Sequence, residues 1–157
     1  MGNEMTESTG ALDPMTYVVP RLEGLIDVLE PLGIKTSLRL SEGEVPFLEG
    51  EREDGAIIYF SYIPVDVNGE FILQLSRSVD AQDFDMDTVF LDIASFNMGS
   101  EFGFAVMDPT GVEVVLRAQV PETGGVSLEW SSFILDLFDG AYDELLKALL
   151  TEDSKEA

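Results

Sequence analysis

The chain holds no cysteine and no histidine in 157 residues. Without cysteine there is no disulfide framework, no thiolate nucleophile and no thiolate metal ligand. Without histidine there is no imidazole base, no Ser-His-Asp triad and no histidine-ligated zinc. Positive charge is scarce as well. Eight Lys and Arg stand against 31 Asp and Glu, for a net charge of -23. The bases Arg21, Lys35, Arg39, Arg52, Arg77, Arg117, Lys147 and Lys155 stand singly, and no basic stripe forms. Phosphate backbones need clustered positive charge, so nucleic acid is not an expected partner, and neither is an anionic membrane surface. No run approaches the ~20 apolar residues of a membrane-spanning helix. The opening residues MGNEMTESTGALDP lack the basic and apolar regions of a signal peptide. Gly2 and Thr6 fit a loose acylation pattern, but no second membrane signal accompanies them. A cytoplasmic location is the expectation. The acidity itself either keeps the chain soluble or attracts a basic protein partner.

What is present is a globular composition, 45% hydrophobic and 25% charged. The expected organisation is a loose tail over 1–13, one domain over 14–150 and a frayed tail over 151–157. Asp13-Pro14 reads as a helix cap with proline in the first turn. Leu22, Leu25, Ile26, Leu29 and Leu32 recur at helical spacing, with Pro20 either kinking the helix or restarting it, and Pro31 and Gly33 stopping it. Residues 34–40 alternate apolar and polar as a half-buried strand does. Val45-Pro46-Phe47-Leu48 reads as a short edge piece, because proline cannot donate to a ladder. The β-prone run Ala56–Ile63 is a second possible edge. Asn68-Gly69 signals a hairpin returning through Phe71–Leu75. After an acidic loop at 78–87, Asp87 is expected to cap a helix running to Met98, with Gly99 in the left-handed position behind it. Strands over Phe102–Met107 and Val112–Val120 flank the tight turn Asp108-Pro109-Thr110-Gly111. A final helix is expected from Ser127 to Leu150. Its buried stripe is Ile134, Leu137, Ala141, Leu145 and Leu149; its wet stripe is Asp136, Asp139, Asp143 and Lys147. The fold class is therefore α+β: an antiparallel sheet of five to six strands packed with three helices, in the order α-βββ(β)-α-ββ-α.

Chemistry-bearing motifs are few. Asp83, Asp85 and Asp87 alternate as in the start of a calcium loop. Its sixth position would be Thr88 rather than glycine, and its twelfth would be Ala94 rather than glutamate. Helix capping explains the same acids. No sequence-local feature marks a carboxylate pair for glycoside hydrolysis. Gly99-Ser100-Glu101-Phe102-Gly103 follows a helix and lacks lysine, so it is no phosphate cradle. The expectation is a protein that is not an enzyme, with no catalytic residue, cofactor or metal ligand to name. The helix beginning near Asp87 is more informative. Phe90, Leu91, Ile93 and Phe96 cannot all point one way. One side can face the sheet. The other is covered by the final helix, by a second subunit or by a bound peptide. The residues expected to meet a partner are Val89, Phe90, Ile93, Phe96, Phe102 and Phe104.

The element order resembles that of type III secretion chaperones. The segments Phe90-Leu91-Asp92-Ile93-Ala94-Ser95-Phe96-Asn97, Phe102-Gly103-Phe104-Ala105-Val106 and Gly111-Val112-Glu113-Val114-Val115-Leu116-Arg117 resemble the YbjN family, whose members share that fold. Asn97 stands at the later helical asparagine of the family pattern, and Ala94 where an earlier one is expected. The resemblance implies a small acidic bacterial protein, often dimeric, that works by contact: chaperones of this kind hold an extended effector segment, and YbjN-like proteins are regulators. The function expected is a non-enzymatic protein-binding module, chaperone-like or regulatory, engaging a protein or peptide through apolar surface and a sheet edge, and forming a homodimer. The alternatives are a calcium-binding protein or carboxylate hydrolase, and an acidic immunity-type protein that masks a basic partner.

Overall fold

The computed structural model describes residues 14–65, 70–122 and 126–156. The elements run α1 (Pro14–Leu29), a 3-10 turn at Glu30–Leu32, β1 (Lys35–Arg39), β2 (Phe47–Glu51), β3 (Ile57–Pro64), β4 (Phe71–Asp80), α2 (Met86–Gly99), β5 (Phe104–Met107), β6 (Glu113–Glu122) and α3 (Leu128–Glu156). The strands form one six-stranded antiparallel sheet in the order β1-β2-β3-β4-β6-β5. The fold class is the α+β arrangement that the hydrophobic periods predict. Among the described residues no helix is long and apolar enough to cross a membrane.

Contacts gather the chain into two compact units. The first comprises residues up to 74 with 119–132, the second 75–118 with those from 133 onward. In the first, α1 packs against β3 and β1. Val18, Leu22, Leu25 and Leu29 form its buried stripe, over Leu48, Ile58, Phe60 and Leu73 of the strands. Pro20 lies inside α1 on its exposed side, and the helix continues through it. Gly33 ends the segment at φ 84°, donating to the Glu30 carbonyl at 3.0 Å, while Ile34 donates to Leu29 at 3.2 Å. In the second unit, Val89, Ile93 and Phe96 of α2 and Phe138, Tyr142 and Leu145 of α3 are buried, as are Leu75, Ala105, Val114 and Leu116 of the strands.

Several expectations give way. Neither Val45–Leu48 nor Ala56–Ile63 is a sheet edge. β2 pairs with β1 on one side and β3 on the other, and β3 lies between β2 and β4. Pro46 precedes the first paired residue, Phe47, so its missing N–H removes nothing from the ladder. The edges are β1 and β5. β4 continues to Asp80, into the stretch expected to be loop. The cap of α2 is Asp85 rather than Asp87: its carboxylate accepts the Asp87 N–H at 3.2 Å. Gly99 belongs to that helix, and Ser100 comes next in extended conformation, so no left-handed residue is used there. In α3, Leu137 is exposed, while Leu135, Phe138 and Tyr142 join the buried stripe. The helix also continues past Leu150 to Glu156. The readings at 1–13 and Asn68-Gly69 fall outside the described residues. The Asp108–Gly111 turn forms as expected, with Gly111 donating to Asp108 at 2.8 Å and Asp108 to Glu113 at 2.9 Å.

Gly50 illustrates how tightly the first unit is closed. A Cβ there would stand 2.8 Å from Ile34 Cγ2 and 2.9 Å from Phe60 Cε1. Gly50→Ala is expected to destabilise the fold by about 1–3 kcal/mol through overpacking, read from the midpoint of urea unfolding.

Candidate protein-binding groove

The second unit carries a groove between α2 and α3. Helix α2 forms because Asp85 caps it, Thr88 donates its hydroxyl to the Asp85 carbonyl at 2.9 Å, and Val89, Ile93 and Phe96 supply a core stripe at helical spacing. Helix α3 is held from the sheet side by Tyr142. The Arg77 guanidinium lies 3.6 Å from the centre of its ring, and its hydroxyl donates to the Ser78 carbonyl at 3.4 Å. Two lobes, of about 590 and 470 Å³, share Gly99 and Glu144 as walls. Asp92, Ser95 and Phe96 of α2 face Lys147 and Ala148 of α3 in one; Phe102 meets Leu137, Gly140 and Ala141 in the other. Small residues keep the trough open: nothing lies within 4 Å of a Cβ placed on Gly99 or Gly140. Asp92, Glu101, Asp136 and Glu144 make its walls acidic, and Lys147 stands among them. The same unit exposes large apolar groups: Phe90 at 54%, Leu91 at 71% and Met98 at 89% on α2, and Phe133 at 58% on α3.

The six residues expected to meet a partner separate accordingly. Val89 and Ile93 are core, and Phe96 is buried with its ring at the groove wall. Phe102 is half-buried and lines the groove. Phe90 and Phe104 are exposed. Leu137 and Gly140 are readable from sequence only as a buried position and a weak point of the last helix. The signal that finds them is that Phe133 and Leu137, four apart, form a second apolar stripe beside the core one.

Asn97 is legible in the sequence as an asparagine near the end of a helix. The structure gives it a task. Its amide nitrogen donates to the Ala105 carbonyl at 2.9 Å, and its amide oxygen accepts the Ala105 N–H at 2.7 Å. Ala105 sits opposite Leu116 in the β5–β6 pair, and both of its backbone groups turn to Asn97. Asn97 thereby stands in for a strand neighbour at the middle of β5, so a peptide strand cannot add there without displacing it.

Of the acids of the expected calcium loop, Asp85 caps α2, and just before the loop Asp80 accepts the Gln82 N–H at 3.0 Å. Among the described residues no group of three or more acidic, histidine or cysteine side chains converges as metal ligands would.

A buried polar cluster belongs to the first unit. Glu122, only 3% exposed, accepts from the Arg21 guanidinium and from the Tyr62 hydroxyl. The Arg21 guanidinium also lies 4.6 Å from the centre of the Phe71 ring, against which Tyr62 packs edge-on at 5.8 Å. Burial, and then the hydrogen bond to the Glu122 carboxylate, push the Tyr62 hydroxyl well above its ordinary range. We assign this cluster to stability.

No known family model matches the chain, and no curated protein does. Among solved structures the chain is similar to the crystal structure of YbjN from E. coli, a candidate transcription regulator. The TM-score is 0.48 and the identity 16%, over 89% of this chain and 96% of that one.

Two outcomes are expected at the polar cluster. Glu122→Ala is expected to destabilise the chain by about 3–5 kcal/mol, or to prevent folding, because it strands a partly buried guanidinium. Tyr62→Phe is expected to lose about 1–3 kcal/mol near neutral pH. Above pH ~10 an unfolded tyrosine ionises while folded Tyr62 keeps its proton, so wild-type stability falls as pH rises. Tyr62→Phe removes that contribution, and urea unfolding across pH 8–11 is expected to show a shallower alkaline decline (roughly that window comes from the ordinary tyrosine value).

Proposed function

We propose that the chain is a protein-binding module that works by contact rather than by catalysis, in a chaperone-like or regulatory role. The observation that carries the reading is the trough between α2 and α3, with Phe96, Phe102 and Leu137 on its surface and acids along its walls. Its occupant is a basic amphipathic helix. Apolar side chains of such a helix reach the floor, and its Lys and Arg meet Asp92, Asp136 and Glu144. Helix-in-groove docking suits this site better than strand addition, since Asn97 covers the neighbouring edge strand. This departs from the sheet-edge engagement expected from sequence and absorbs the alternative of an acidic protein masking a basic partner.

The test is fluorescence anisotropy with two labelled helical peptides of one apolar pattern, one with lysine and one with glutamate on the polar face. The lysine peptide is expected to bind, more weakly as salt rises. Glu144→Lys and Leu137→Asp are each expected to weaken it about tenfold, or 1.4 kcal/mol. Equal binding of both peptides, or indifference to both substitutions, would refute the assignment.

A further inference from the structure

The arginines of this acidic chain are not placed alike. Arg21 and Arg39 hold Glu122 and Glu49, Arg52 has a partner, and Arg77 lies over the Tyr142 ring. The Arg117 side chain, half-buried on β6, makes no hydrogen bond, ion pair or ring contact with any described residue. Its Nε is shut off from water and has no acceptor, a costly state for a charged donor, while its terminal nitrogens are not enclosed in this way.

Strand alternation fixes what surrounds it. Val114, Leu116 and Ala118 of β6 are buried, so Glu113, Val115 and Arg117 share the opposite face. Across the β5–β6 register Phe104 lies beside Arg117, and Val106 beside Val115. On the other flank of β6, Ala81 donates to the Val112 carbonyl at 2.8 Å. Following the antiparallel β4–β6 pair from that bond brings Asp80 beside Glu113 and Ser76 beside Arg117. The strand neighbours of Arg117 on this face are therefore Phe104, Val115 and Ser76, none of them charged. The acids of the face, Glu113 and Asp80, stand four residues along from Arg117 and Ser76, roughly 13 Å at the strand rise. That exceeds the screening length of about 8 Å in physiological salt. Glu101, in the turn before β5, lines the groove instead. Phe104 is 36% exposed, and Val106 and Val115 are half-buried. A positive charge without a counter-charge thus stands on apolar ground, in a chain whose net charge is -23.

We infer that this face of β5 and β6 seats a carboxylate side chain of a partner protein, an Asp or Glu flanked by apolar residues. The carboxylate meets the terminal nitrogens of Arg117, and its apolar neighbours lie on Phe104, Val106 and Val115. Arginine and aromatic side chains are where protein interfaces concentrate their binding energy. A polyanion does not fit, because one base is on offer and the rest of the chain repels it. A single acid with apolar flanks presents one charge to that one base. The three strands offer a broad pleated surface, which suits a protein segment better than a small molecule that needs a cleft. The inference does not depend on the groove, whose occupant is basic.

NMR titration of the isotope-labelled full chain tests it, with three probes: the capped tripeptides Val-Glu-Val and Val-Gln-Val, and sodium acetate. Val-Glu-Val is expected to shift the Arg117 Nε–H signal and the methyl signals of Val106 and Val115, saturably and less strongly as NaCl rises. Val-Gln-Val and acetate are expected to bind about tenfold more weakly or worse. Arg117→Gln is expected to weaken Val-Glu-Val by a similar factor. The urea unfolding midpoint of that variant is expected to stay at or above that of wild type, since the guanidinium supports no internal bond. Four results would overturn the inference: no shift with Val-Glu-Val, equal binding of Val-Gln-Val or acetate, unchanged binding in Arg117→Gln, or a loss of stability in that variant that shows the arginine to hold the fold.

Discussion

A strand sends neighbouring side chains to opposite faces, and a helix can cover only one of them. In the first unit this constraint sorts the side chains of every strand. Everything on the α1 side is packed to the point where Gly50 has no room for a methyl group. Everything on the other side must be polar, paired with its neighbours, or apolar and uncovered. Gln74 and Gln119 take the polar solution, bonded to each other at 2.8 Å. Tyr59 and Ile63 take the last.

In the second unit the same pressure acts on helices. The core stripe of α2 uses Val89, Ile93 and Phe96, and that of α3 uses Phe138, Tyr142 and Leu145. Neither helix has enough buried positions for all its large apolar groups. The surplus on α2 is Phe90, Leu91 and Met98; on α3 it is Phe133 and Leu137. Glycine and alanine where α2 and α3 approach, at Gly99, Gly140, Ala141 and Ala148, convert part of that surplus into a groove rather than a flat patch.

Fold class was legible because it rests on local periods. The spacing of Leu22, Leu25 and Leu29 and the alternation through Leu38 and Ile58 are properties of neighbouring residues, and they survive into the structure. Edges were not legible. Whether β2 is an edge depends on what lies beside it, and Pro46 misled because its place relative to the first paired residue cannot be read from composition. The Arg21–Glu122–Tyr62 cluster was invisible for a related reason: Arg21 and Glu122 lie 101 positions apart, and neither has a marked neighbour. The apolar excess of α2 was readable as an excess. Which of its residues would be spent on the core was not, because that choice belongs to the packing of α3.

A sheet grows by offering unpaired backbone groups along its flank, and this one has two flanks, β1 and β5. At β5 the Asn97 side-chain amide already occupies the central donor and acceptor. Lengthening by added strands is therefore possible from the β1 flank alone, and a ladder that extends in one direction stops once two copies have joined by that flank. Fibrous stacking, the hazard of any molecule with two open flanks, is closed off by a single carboxamide.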